Sequence, residues 1–178
     1  MARELWLLRH ADAERSDTVQ HGSALDAERR LTERGEHQSR AAGAALARLE
    51  VSFDAVLFSP KVRARRTAEL AAEQWPAQER ARLRVYPPLA GGFDARQALE
   101  AIASVGREGR LLLVGHEPDF SNVVAELSGG RVDLKKGGLA VLRLEGAGGE
   151  LVVVMRPREL ALLAESSSRT VGAPAGGE

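Results

Sequence analysis

The chain has 178 residues, in which 25 Lys and Arg balance 25 Asp and Glu, with four histidines and no cysteine. That length suits one domain with a core large enough to need no covalent staples. Zero formal charge offers no global field for nucleic acid or an anionic membrane, and the lack of cysteine excludes disulfides, thiolate zinc sites and cysteine nucleophiles.

Only a few apolar residues precede Arg9, too short a run for a signal-peptide core, and no stretch approaches the length of a membrane span, so a soluble cytoplasmic protein is expected. ELWLL, Glu4 to Leu8, is a short apolar run bounded by charges, as in a strand buried on both faces, and it ends at Arg9. Ala11 to Arg30 is polar and small and reads as a loop. LTERG then opens a helix with Thr32 as N-cap and an apolar face carried by Leu46 and Leu49.

FDAVLFSP, Phe53 to Pro60, is a second short strand stopped by Ser-Pro, and VRARRTAELAAEQW has helical composition up to Pro76. LRVYP reads as a brief strand and ARQALEAIASV as a helix. In GRLLLVGHEPDFSNVVAELSGG, Leu111 to Val114 is a strand and Pro118 sits where the first turn of a helix tolerates proline. GLAVLRLEG and GELVVVMRP read as an antiparallel hairpin joined through AGG, followed by a short RPRELALLAE helix. The tail SSSRTVGAPAGGE has disordered composition, which gives a domain over residues 1–165 and a tail over 166–178. Strands alternating with helices before a terminal hairpin imply a three-layer α/β/α fold with a mostly parallel central sheet.

Ligands of open α/β sheets bind beyond the carboxyl ends of the strands. Three such ends carry unusual residues: Arg9-His10, Ser59-Pro60 leading to Arg63, and Gly115-His116. If they converge, two imidazoles and two guanidiniums meet, a self-repelling cluster unless an anion such as a phosphoryl group sits within it. Neighbouring arginines disfavour imidazolium and would keep His10 neutral and nucleophilic. His21, in a polar loop, and His37, on an exposed helix face, are expected to be solvated. The same holds for Arg65 and Arg66, while Lys135 and Lys136 read as a surface turn and Ser59 as a helix cap.

LLRHA, DAERRLTERG, SPKVRARRT and VGHEPDFS, in that order across about two-thirds of the chain, resemble the histidine phosphatase superfamily, with its phosphoglycerate mutase-like fold. The short length and the RHA-x-A and GHEPD forms look most like its SixA-type phosphohistidine phosphatases. The resemblance implies that His10 is phosphorylated during turnover, that Arg9 and Arg63 hold phosphoryl oxygens, and that His116 donates to them. It implies a reaction without metal or cofactor. The expected partners are a phosphorylated protein, such as a phosphotransfer domain, or a small phosphorylated substrate, acted on by a monomer.

Ala11 stands where many members have glycine, and its methyl group would crowd the phosphate. No residue clearly matches the family's acidic proton donor; by position the candidates are Glu117, Asp119 and Asp94. Expelling an alkoxide needs such an acid, whereas the imidazole of a phosphohistidine, with a pKa of about 6.5, departs easily. The gap favours phosphohistidine over a phosphomonoester. The rival readings are a metal-dependent hydrolase ligated by His10, Asp12, His116 and Asp119, which two pocket arginines would oppose, and a non-catalytic phosphoprotein-binding module, for which arginines alone would suffice.

Overall fold

The computed structural model describes residues 3–15, 24–106 and 108–166. His21 and the expected disordered tail beyond Ser166 lie outside the described residues. Six strands form one sheet, β1 (Arg3–Arg9), β2 (Ala55–Phe58), β3 (Leu83–Val85), β4 (Arg110–Gly115), β5 (Leu139–Glu145) and β6 (Gly148–Met155), in the order β3-β2-β4-β1-β5-β6. The first four are parallel, and β5 pairs antiparallel with both β1 and β6.

The alternation of side chains along each strand divides the core into two layers. From β1, Leu5 and Leu7 join Leu111 and Leu113 on one face, beneath α5 (Ala95–Ile102) and α6 (Asp119–Ser128). Trp6 and Leu8 join Leu112 and Val114 on the other, beneath α2 (Glu33–Arg48), α3 (Val62–Ala71) and α7 (Pro157–Glu165). Because both faces are covered, the central strands are apolar throughout, and the expected three-layer arrangement is what forms.

Several local expectations are corrected. The polar loop contains a short helix, α1 (Ala24–Glu28), and another, α4 (Ala77–Arg80), follows Pro76. Five and four residues are too few to display a helical period. Leu49 does not share the apolar face of Leu46, because the helix ends at Arg48 and Leu49 is its exposed C-cap. The hairpin turn lies at Gly146-Ala147, one residue earlier than AGG, with Gly146 at a φ of 64° that favours glycine. The helix after β2 tightens to a 3-10 turn at Ala72–Gln74 ahead of Pro76.

Close packing of α2 on α3 depends on Gly43, where an added Cβ would stand 1.8 Å from the Ala71 carbonyl oxygen. The Trp75 indole N–H donates to the Gly43 carbonyl at 3.1 Å and reports on the same contact. Gly43→Ala is therefore expected to part the helices and to lower stability by about 2 kcal/mol. Urea unfolding followed by tryptophan fluorescence would show a reduced midpoint at unchanged slope.

Candidate active site

Backbone pairing brings the three marked strand ends together. Arg9 aligns with Gly115 and Phe58 with Val114, so the residues following β1, β2 and β4 emerge side by side. The His10 N–H donates to the Gly115 carbonyl at 2.9 Å and the Ser59 N–H to Val114 at 3.0 Å. On the antiparallel side the Gly137 N–H is shared between the Arg9 and His10 carbonyls, at 3.2 and 3.0 Å, and the Arg9 N–H donates to Gly138. The nucleophile candidate is thereby held by backbone bonds on two sides.

The imidazoles of His10 and His116 lie 5.2 Å apart between ring centres, and both are buried. His10 Nδ1 is 2.8 Å from the Ala11 carbonyl oxygen. A carbonyl can only accept, so Nδ1 carries the proton and Nε2 carries the lone pair. Arg63 Nε–H donates to that Nε2 at 3.3 Å, which requires the same tautomer. Burial, reinforced by His116, Arg63 and Arg9, holds the His10 pKa well below its ordinary value of 6.5. Burial and the cations Arg63 and Lys61 push His116 down to about 3. Both rings are neutral near neutral pH.

Three polar atoms buried around this site have no hydrogen-bond partner among the described residues: Arg9 Nε, His116 Nδ1 and Glu117 Oε1. Such atoms are costly unless something meets them. All three residues line one pocket of about 730 Å3, together with His10, Arg63 and Asp119. Six cations contribute to its wall, Arg9, Arg15, Arg29, Lys61, Arg63 and Lys136, against the carboxylates of Asp26, Glu117 and Asp119. The surplus of donors suits an oxyanion. Gly91 and Gly92 also line the pocket; both are exposed, and an added Cβ at either would meet nothing within 4 Å among the described residues.

Asp26, which sequence reasoning left unassigned, organises the cations. Its buried carboxylate accepts from Arg29 Nε at 2.9 Å, Lys61 Nζ at 3.0 Å and Arg63 Nη2 at 3.4 Å. Its backbone carbonyl accepts from Arg63 Nη1 at 2.7 Å. Although burial alone would raise its pKa, the three cations hold the carboxyl far below the usual range. Ser59 was also missed as a site residue. Its hydroxyl oxygen accepts from the N–H of Lys61, the N-cap residue of α3, at 3.3 Å, and also stands 2.8 Å from His116 Nε2. The only sequence signal for either residue was its place within the motifs DAERRLTERG and SPKVRARRT.

Asp12 accepts from Thr32 Oγ1 at 2.9 Å and Lys136 Nζ at 3.2 Å, which removes it from a shared ligand set with the histidines. Among the described residues no group of three or more His, Asp or Glu side chains is placed to hold a metal. Lys136 lies in the turn before β5, as expected, and also lines the pocket. Ala11 is fully buried, donates its N–H to Thr67 Oγ1 at 3.1 Å, and does not line the pocket, so its methyl group fills core and leaves the phosphate space alone.

Of the acidic candidates, Asp94 is occupied as the N-cap of α5, accepting from the Gln97 N–H, and is absent from the pocket wall. Asp119 accepts from the Phe93 N–H at 3.0 Å. Glu117 is half-buried, accepts from Ser121 Oγ through Oε2, and leaves Oε1 free, while burial raises its pKa above the ordinary 4.5. A carboxyl that keeps its proton longer than usual is suited to donate it.

Residues 5–85 match the model of the histidine phosphatase superfamily, branch 1. An uncharacterised protein of Picosynechococcus sp. is 31% identical over 151 residues, covering 79% of this chain and 84% of the relative. The structure of the protein histidine phosphatase SixA complexed with tungstate is 26% identical, with a TM-score of 0.72 over 88% of this chain and 99% of that one. A candidate SixA phosphohistidine phosphatase from Nakamurella multipartitia is 28% identical at a TM-score of 0.71, over 88% and 97% of the two chains. A candidate α-ribazole-5'-P phosphatase of Escherichia coli shares the fold at 20% identity and a TM-score of 0.65, over 88% and 98%.

Two outcomes follow from these charges. Asp26→Asn leaves three cations facing one another and is expected to lower stability by about 2 kcal/mol, measured by urea unfolding, and to release Arg63 from its position. The histidines bind protons more weakly folded than unfolded, so stability is full above about pH 6.5 and falls as pH drops below it, by up to about 1.4 kcal/mol per pH unit for each ring. Thermal unfolding between pH 7 and pH 5 should show this slope, and His116→Gln should reduce it.

Proposed function

The chain belongs to the histidine phosphatase superfamily, and we propose that it is a SixA-type phosphatase that removes phosphate from phosphohistidine in a protein partner such as a phosphotransfer domain. The reading rests foremost on one observation: His10 Nδ1 is fixed as a donor to the Ala11 carbonyl, which leaves the Nε2 lone pair in a cationic pocket. In the proposed reaction Nε2 attacks phosphorus, the bond from phosphorus to the substrate imidazole breaks, and that imidazole leaves with the bond's electron pair and takes up a proton. Water then attacks the phosphohistidine on His10, the bond from phosphorus to Nε2 breaks, and inorganic phosphate departs with the water oxygen. Arg9, Arg63 and His116 supply donors to the phosphoryl oxygens as charge moves onto them. The catalytic unit is taken as residues 1–165.

The tungstate-bound SixA relative holds a tetrahedral oxyanion of the kind this pocket would take, and the two exposed glycines in the pocket lining, Gly91 and Gly92, leave room beside them for a histidine presented on a protein. Glu117, with a free buried oxygen and a raised pKa, favours a second reading, in which it protonates the leaving oxygen of a small phosphomonoester.

His10→Ala is expected to reduce turnover by a factor on the order of 10^4 or more, and wild-type enzyme quenched during turnover should carry acid-labile, base-stable phosphate on His10. Full activity in that variant would overturn the mechanism. A phosphohistidine peptide and glycerol phosphate, each tested with wild-type and Glu117→Gln enzyme, separate the two substrate readings. The first reading expects rapid peptide turnover that the variant leaves within about threefold. The second expects ester turnover of comparable rate that falls by about a hundredfold or more in the variant.

A further inference from the structure

A second depression, of about 380 Å3, adjoins the catalytic pocket and shares Arg9 and Lys136 with it. Its walls come from three places: Arg34 near the start of α2, the Lys135-Lys136 turn ahead of β5, and Arg156 with Arg158 where β6 passes into α7. Six cations line it against one carboxylate, that of Asp12, which already accepts from Lys136 and Thr32. Lys135 pairs with Asp133. The guanidiniums of Arg34, Arg156 and Arg158 are exposed and have no ion-pair or hydrogen-bond partner among the described residues.

Asp12 feels Arg34 and Asp133 feels Arg156 only at longer range, so three guanidiniums without a direct ion pair still share one groove in a chain with as many acids as bases. Elsewhere Arg40, Arg96 and Arg110 each meet a glutamate, while Arg48, Arg65 and Arg131 are exposed without an ion pair among the described residues but stand apart from one another in sequence; what distinguishes Arg34, Arg156 and Arg158 is that they line one groove. Arg158 also occupies the first turn of α7, where the helix dipole disfavours a cation, so nothing in its own helix accounts for the charge. We propose that this groove docks an acidic segment of the protein substrate, flanking the phosphohistidine, and so selects the partner whose phosphate enters the adjoining pocket. The inference rests on the phosphohistidine reading of that pocket. Complementary charge at this position would act on encounter and on partner choice, and would leave the chemical step untouched.

The test uses two synthetic phosphohistidine peptides of equal length, one flanked by Asp and Glu and the other by Ser and Gly, with p-nitrophenyl phosphate as a probe that spans no groove. Wild-type enzyme is expected to prefer the acidic peptide about tenfold in kcat/KM, with the preference shrinking as salt is raised. Arg34→Ser/Arg156→Ser/Arg158→Ser should abolish the preference, and Arg156→Glu/Arg158→Glu should reverse it, with p-nitrophenyl phosphate turnover unchanged in both. Equal rates on the two peptides in wild-type enzyme, or a preference that survives the triple substitution, would overturn the docking inference alone. Turnover of p-nitrophenyl phosphate with neither peptide cleaved would overturn the phosphohistidine reading and the groove with it.

Discussion

The carboxylate of Asp26 carries the constraint on which the site depends. Arg63 is buried with its Nε against His10, and a buried guanidinium beside neutral imidazoles needs a counter-charge that does not itself occupy the oxyanion space. Asp26, itself on the pocket wall, supplies the counter-charge while its oxygens are taken up by cations, gripping Arg63 through both its backbone carbonyl and its side chain, and drawing in Lys61 and Arg29. The cations are thus fixed before an anion arrives, and little reorganisation remains for the moment when negative charge develops.

The parallel sheet contributes the other half of the arrangement. Neighbouring parallel strands deliver their carboxyl ends to one edge of the sheet, and the registers of β1, β2 and β4 bring His10, Ser59 and His116 there together. Thr67 extends the frame into α3: its hydroxyl donates to the Arg63 carbonyl at 2.7 Å and accepts the Ala11 N–H. A displacement of α3 would move Arg63 and the backbone beside His10 as a unit. The tight contact at Gly43, remote from any ligand, therefore supports the geometry of the pocket.

How much of this was legible in the sequence follows from how local each signal is. Leu5 to Leu8 and Leu111 to Val114 announce themselves as buried strands, and the residues just beyond them, with Arg63 in the following helix, carried the motif order that pointed to phosphate. Asp26 could not be read this way, because its role exists only when Arg29, Lys61 and Arg63 fold back upon a five-residue helix without period of its own. Ser59 reads from sequence as a helix cap, and its hydroxyl does accept the Lys61 N–H at the start of α3, but its second contact, with the His116 ring, exists only in the folded chain. Ala11 raised a concern from comparison with glycine that the packing resolves, since its methyl group points into core. What separates Glu117, Asp119 and Asp94 as candidates is which of their oxygens are bonded or buried, a property that only tertiary contacts decide.

The turn before β5 has a consequence for the timing of assembly. Arg9 donates to the Leu134 carbonyl and, through its backbone, to Gly138, while Gly137 bridges the carbonyls of Arg9 and His10. The residues that secure the strand end at His10 thus emerge from the ribosome more than a hundred positions after it. A nascent chain that already carries His10, Arg63 and His116 still lacks the clasp that orients the first of them. The geometry around His10 therefore forms only after the turn before β5 has been made, and the strand that precedes it in the sheet waits on a segment far along the chain.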